Sequence, residues 1–124
     1  MSVLLSMEFE GLPPTVNHLY ENSHGRRYKT SEGWRYQKQI SAALAKCWHS
    51  RPVYKAPVEL RIFFITNNKR RWDIDNRVKA LQDCLSMAGI IEDDKQVNVL
   101  HVERKYGKEI KTCIEVSTDE KLGL

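Results

Sequence analysis

The alternation of apolar and polar positions divides the chain into six elements. Val3 to Phe9 read as a short strand, ended by Gly11 and by Pro13-Pro14, which cannot donate ladder hydrogen bonds. Thr15 to Lys29 carries basic, aromatic and amide groups without clear periodicity and reads as an exposed loop. Thr30 or Ser31 is placed to cap a helix running to about Trp48, on which Tyr36, Ile40, Leu44, Cys47 and Trp48 recur at three- and four-residue spacing. Gly33 weakens the first turn of that helix. Val58, Leu60, Ile62 and Phe64 alternate as a strand with one face on a core, and Asn67-Asn68 ends it. Val78, Leu81, Leu85 and Ala88 form the apolar stripe of a second helix, with Gly89 placed as its C-terminal cap. After a turn at Glu92-Asp93-Asp94, Val97, Val99 and His101 alternate with their neighbours as a strand. A last strand, about Glu109 to Val116, follows Gly107, and the glycine turn predicts that these two strands form an antiparallel hairpin.

The order β-α-β-α-β-β predicts an α+β fold, a small mixed sheet with two helices packed on one face. At 124 residues the chain is of single-domain length, so residues 1–124 are expected to form one domain with a frayed tail from about residue 119. No internal repeat or low-complexity segment interrupts it. An apolar fraction of 41% against 29% charged residues excludes a disordered or fibrous chain and calls for a packed core.

Charge adds a hint of the partner. Twenty lysines and arginines against sixteen acids leave a net +4, which favours a polyanion such as nucleic acid without requiring one. Cys47, Cys84 and Cys113 are odd in number and set among apolar neighbours, so buried reduced thiols are expected rather than disulfides or a zinc site. The N-terminus lacks the pattern of a secretion signal and no apolar stretch is long enough to span a bilayer, so a cytoplasmic protein without a membrane partner is expected.

The chemistry concentrates in Lys69-Arg70-Arg71-Trp72-Asp73-Ile74-Asp75-Asn76. In extended chain, Asp73 and Asp75 project to the same side and can offer oxygens to a hard cation such as Mg²⁺. Asp94, on the turn after the second helix, can return a third carboxylate, with Asp93 its nearest rival. Lys79 stands one helical turn after Asp75, where its ammonium can meet a phosphate. Each residue also has an ordinary use. Either early aspartate suits a helix N-cap, Asp93-Asp94 suits a turn, and Lys79 suits a solvated helix face. Trp72 suits stacking on an unpaired base or, somewhat better, a place in the core. His18, His24, His49 and His101 show no metal-ligand spacing.

The stretch from Arg70 to Asn76, with Lys79, Ala88-Gly89 and Asp93-Asp94-Lys95-Gln96-Val97, resembles the RusA family of Holliday junction resolvases. Pro13-Pro14, Asn17, Tyr20, Ser31-Glu32-Gly33 and Tyr36 extend the likeness over about residues 5 to 118. The basic stretch before the first aspartate is one position shorter here, with Trp72 in its place. The resemblance implies a homodimer that binds four-way junction DNA and, with Mg²⁺ (or Mn²⁺ as a substitute), hydrolyses phosphodiesters as paired symmetric nicks. It places the essential acids on Asp73, Asp75 and Asp94, as metal ligands, and the essential lysine on Lys79; Asp93 matches a less critical acid. Arg26, Arg27, Lys29, Lys69, Arg70, Arg71 and Asn76 are the candidate DNA contacts, with Arg77 a weaker one. Two other readings remain open: a catalytically inactive module binding branched or single-stranded DNA, and a nuclease acting on flaps or forks.

Overall fold

In the computed structural model, which describes residues 2–69 and 72–119, the N-terminal apolar run forms β1 (Val3–Glu10) as expected. The segment after the prolines is not an open loop. Val16–Leu19 make one helical turn, α1, and β2 (Tyr20–Ser23) pairs antiparallel with β3 (Arg26–Lys29). Ser23 faces Arg26, leaving His24 and Gly25 as a two-residue turn, and both have the positive φ (50° and 74°) that such a turn requires. The strands escaped the hydrophobic pattern because they are polar on both sides and rest on no core.

Thr30 caps α2 (Ser31–Trp48) as the sequence suggests. Its Oγ1 accepts from the Gly33 N–H at 2.9 Å and donates to the His18 carbonyl at 2.6 Å, so one hydroxyl starts α2 and ties it to α1. Gly33 has a purpose here that its helix propensity hides. A Cβ at this position would stand 2.8 Å from the Leu19 carbonyl oxygen and 2.9 Å from Leu19 Cδ1, so glycine lets α1 lie directly against α2. Gly33→Ala is therefore expected to cost about 1–3 kcal/mol through overpacking, read as a lower urea midpoint at unchanged m-value. An alanine variant as stable as the parent would show that the close approach is dispensable.

The main sheet contains β1, β4 (Val58–Thr66), β5 (Val97–Tyr106) and β6 (Lys111–Thr118), in the order β1-β6-β4-β5. The predicted β5–β6 hairpin does not form. β4 lies between those strands, parallel to β5 and antiparallel to β6. The reason is that α3 (Val78–Met87) carries the chain from β4 over the sheet and returns it parallel to β4 in a crossover. The connection after β5 then steps across the end of β4 to its open side. Gly107 serves that step: its N–H donates to the Thr66 carbonyl at 3.0 Å, and a Cβ there would sit 2.9 Å from Ile65 Cγ2. With β4 central, Leu60, Ile62 and Phe64 are fully buried and both edges of the strand are paired.

Those residues join Leu5, Phe9, Ile114 and Val116 of the sheet with Ile40, Leu44 and Trp48 of α2 and Val78, Leu81, Cys84 and Leu85 of α3 in one core cluster. The α+β architecture with the long helices over one sheet face is as expected. α3 ends at Ala88, and Gly89 follows at φ 76° with its N–H donating to Ser86 O, as a glycine stop should. All three cysteines are free thiols, but only Cys84 is fully buried, which pushes its thiol up to about 11; Cys47 and Cys113 are half-buried. Among the described residues no helix is long and apolar enough to cross a membrane. The tail expected to fray lies outside the described residues from 120 onward, while the Asp119 N–H donates to the Pro57 carbonyl at 3.1 Å.

Candidate active site

The entrance to α3 is a 3-10 turn, Ile74–Arg77, preceded by Asp73 in extended conformation. The chain bends at Ile74, so the straight run that would aim Asp73 and Asp75 to one side is interrupted. Both aspartates are exposed, and neither carboxylate has a hydrogen-bond or ion-pair partner among the described residues. The N-cap explanation for Asp73 fails, because its side chain accepts no capping bond.

The core holds the backbone just before these carboxylates. Trp72 meets Phe64 edge-on, with ring centroids 5.5 Å apart, and the guanidinium groups of Arg77 and Arg104 lie 4.8 and 5.3 Å from its ring. Arg104 also donates to the Trp72 carbonyl at 2.6 Å, and the Asn76 N–H donates to the Asp73 carbonyl at 3.2 Å. Trp72 is therefore half-buried and packed against the core. Arg77, which also donates to the Pro13 carbonyl, has a structural task.

Beyond α3, the two adjacent acids divide their labour. Asp93 caps the short turn Asp94–Gln96: its Oδ1 accepts from the Lys95 N–H at 2.8 Å, and the Gln96 Oε1 accepts from the N–H groups of Glu92 and Asp93. The Gln96 amide then donates to the carbonyls of Tyr54 and Ala56, fastening the turn to the chain before β4. Asp94 is left to face α3, with Oδ2 3.2 Å from Lys79 Nζ and Oδ1 3.5 Å from Ser86 Oγ.

Lys79 has a second and closer partner, Asp83 one helical turn further on, at 2.8 Å. Asp83 above all, and then Asp94, hold its ammonium well above the usual lysine range. The other oxygen of Asp83 accepts from the Tyr20 hydroxyl and the Gln37 amide, both at 3.2 Å. Gln37 is fully buried, donates also to the Ala80 carbonyl at 3.3 Å and accepts from the Lys29 ammonium. Asp83, Gln37 and the Tyr20 hydroxyl were not singled out from the sequence. The four-residue spacing of Lys79 and Asp83 on one helix was the available signal.

Arg26 and Arg27 are exposed on β3, Arg27 with its guanidinium 4.0 Å from the centre of the Tyr20 ring. Lys29 lies 4.5 Å over the Trp34 ring as well as on Gln37. Lys69 is exposed beyond β4, Asn76 is half-buried in the turn, and Arg70 and Arg71 lie outside the described residues. The Tyr20–Asp83 bond thus joins the basic hairpin to the helix that carries Lys79.

The structure brings Lys79 and Asp94 together. Among the described residues no three histidine, cysteine or acidic side chains gather closely enough to enclose a metal ion, so Asp73 and Asp75 do not complete a three-carboxylate cage with Asp94. The donor chemistry nevertheless fits Mg²⁺, which takes one or two protein carboxylates and completes its octahedron with water and phosphate. Asp73 and Asp75 are such donors, with no other partner among the described residues.

Residues 10–117 match the family model described as Endodeoxyribonuclease RusA. The crossover junction endodeoxyribonuclease RusA of Escherichia coli strain K12 is 33% identical over 85 residues, covering 68% of this chain and 70% of that relative. The protein of the same name from Enterobacteria phage 82 is 35% identical over 85 residues, with the same coverage. That from Enterobacteria phage HK97 is 27% identical over 93 residues, 74% of this chain and 76% of the relative.

Proposed function

This chain belongs to the RusA family of endodeoxyribonucleases, and from that premise we propose that it resolves four-way DNA junctions in the cytoplasm as a Mg²⁺-dependent homodimer making paired symmetric nicks. Mn²⁺ would substitute for Mg²⁺. The observation that carries this reading is the pair Asp73 and Asp75. At a helix entrance where aspartate ordinarily caps, these two cap nothing and pair with no other described residue, while Asp93 does the capping work at the next turn.

Asp73, Asp75 and Asp94 are the residues that would hold the ion, directly or through the waters that Mg²⁺ retains. A bound divalent cation supplies hydroxide near neutral pH and withdraws charge from the scissile phosphate. Lys79 is charged throughout the working pH range and lies beside Asp94, where its ammonium stabilises the negative charge that develops on the phosphate. Arg26, Arg27 and Lys29 on the hairpin, with Lys69, Arg70, Arg71 and Asn76 before α3, bind the DNA backbone and orient it. Two-fold symmetry of the dimer would match that of the junction, one active site to each of two strands.

Cleavage of a mobile four-way junction, a fork and a linear duplex, each with Mg²⁺ or with chelator, tests the proposal. Paired nicks are expected on the junction with metal and none with chelator. Engagement of six cationic side chains predicts that binding weakens by about a thousandfold between 50 and 200 mM salt. Binding without cleavage in Mg²⁺ would establish the inactive module instead, and faster cutting of the fork would move the substrate class to forks.

A further inference from the structure

We propose that Asp83 is a positioning residue that anchors the Lys79 ammonium on α3 and thereby keeps it from neutralising Asp94. The inference rests on the reading of Asp94 as a metal ligand. It starts from an asymmetry: Lys79 Nζ lies 2.8 Å from Asp83 Oδ1 but 3.2 Å from Asp94 Oδ2, and the Asp83 side chain is the less exposed of the two, 17% against 31%. A shorter charge-assisted bond, further from solvent, is the stronger one.

Asp83 is also built to stay where it is. Its second oxygen receives the Tyr20 hydroxyl from the hairpin and the Gln37 amide from α2, so three elements converge on one carboxylate. Gln37 cannot retreat either, being fully buried and bonded to the Ala80 carbonyl and to Lys29. With one oxygen paired to Lys79 and the other receiving two neutral donors, both oxygens of Asp83 are engaged by protein partners. Its action on the site runs through Lys79.

The consequence follows from the flexibility of lysine. Its ammonium sits on a four-carbon stem and settles on whichever carboxylate is offered. Without Asp83 the remaining partner is Asp94, and an ammonium seated fully there competes with a divalent cation for the same oxygens. Asp83 divides the lysine's attention, leaving Asp94 charge for a metal while holding the ammonium within reach of a phosphate.

A double-mutant cycle on the DNA-free protein reads this without recourse to activity. Mn²⁺ binding is measured by calorimetric titration for the parent, Asp83→Asn, Lys79→Met, the double variant and Asp94→Asn. Asparagine retains an oxygen for Tyr20 and Gln37. Asp83→Asn is expected to bind Mn²⁺ about tenfold more weakly than the parent. Lys79→Met is expected to bind at least as tightly as the parent, and the double variant to match Lys79→Met. Asp83→Glu, which keeps a carboxylate within reach of Lys79, is expected to stay within about threefold of the parent. An equal loss from Asp83→Asn with and without Lys79 would overturn the proposal, because Asp83 would then act on the ion directly, and so would no loss in either background. Where Asp83→Asn does not fold, Asp83→Ser takes its place with the same expectations. If Asp94→Asn binds Mn²⁺ like the parent, the metal-ligand reading of Asp94 itself fails, an outcome distinct from failure of the cycle with Asp94 binding intact.

Discussion

Asp75→Asn is expected to reduce junction cleavage by at least about a thousandfold, the scale on which removal of a principal electrostatic group acts, while junction binding stays intact or tightens. The two halves of this result have different causes. Asparagine keeps the shape of the side chain but removes the charge that a divalent cation requires, so the chemistry is lost. The same neutralisation lessens repulsion of the phosphate backbone, so affinity does not suffer. Folding is not a confounder here. Asp75 is exposed and no described residue bonds its carboxylate, so the substitution should change stability by no more than about 0.5 kcal/mol. Binding is read by gel shift in chelator and cleavage by single-turnover assay in Mg²⁺. A variant cutting within tenfold of the parent would remove Asp75 from the metal site, and a variant losing binding would make it a DNA contact instead.

Phe64→Ala should carry the largest stability cost, about 3–5 kcal/mol for emptying a fully buried aromatic site. That is a large part of the roughly 5–15 kcal/mol that typically separates a folded domain from its unfolded chain. The site should feel it as well. Phe64 is the edge-on partner of Trp72, which immediately precedes Asp73, so the cavity opens beneath the segment that presents the first carboxylate. Leu60→Ala, at an equally buried position further back along β4, is the control. Both variants should unfold at lower urea concentration, but only Phe64→Ala should also cleave more slowly per folded molecule. Equal activity of the two folded variants would show that the core does not transmit to the Asp73 segment.

Much of this molecule was legible along the chain because local patterns carry local energies. Thr30 announced α2, the stripe of Val78, Leu81 and Leu85 announced α3, and Gly89 announced its end; each is a choice a segment makes largely alone. The motif from Arg70 to Gln96 likewise pointed to the family, since its residues lie close together in sequence and their spacing is itself the information. The hairpin of β2 and β3 was missed for the complementary reason. Its strands are short and mostly exposed, so no apolar alternation marks them.

What the linear order could not decide were the matters settled between distant segments. Gly107 signals a turn equally well whether the strands it joins pair with each other or straddle a third. The choice belongs to β4, whose buried apolar positions and two paired edges are satisfied only at the centre of the sheet. The same holds at the site. Asp93 and Asp94 are indistinguishable as sequence, but the packing of the crossover from β4 to β5 spends one on a capping box and turns the other to Lys79. Tyr20 and Gln37 reach Asp83 across 63 and 46 residues of chain. Periodicity and capping record which face of a segment avoids water. Which polar groups meet depends on how partly buried donors and acceptors, brought together by packing, find partners instead of losing their hydration uncompensated, and that is a property of the assembled fold.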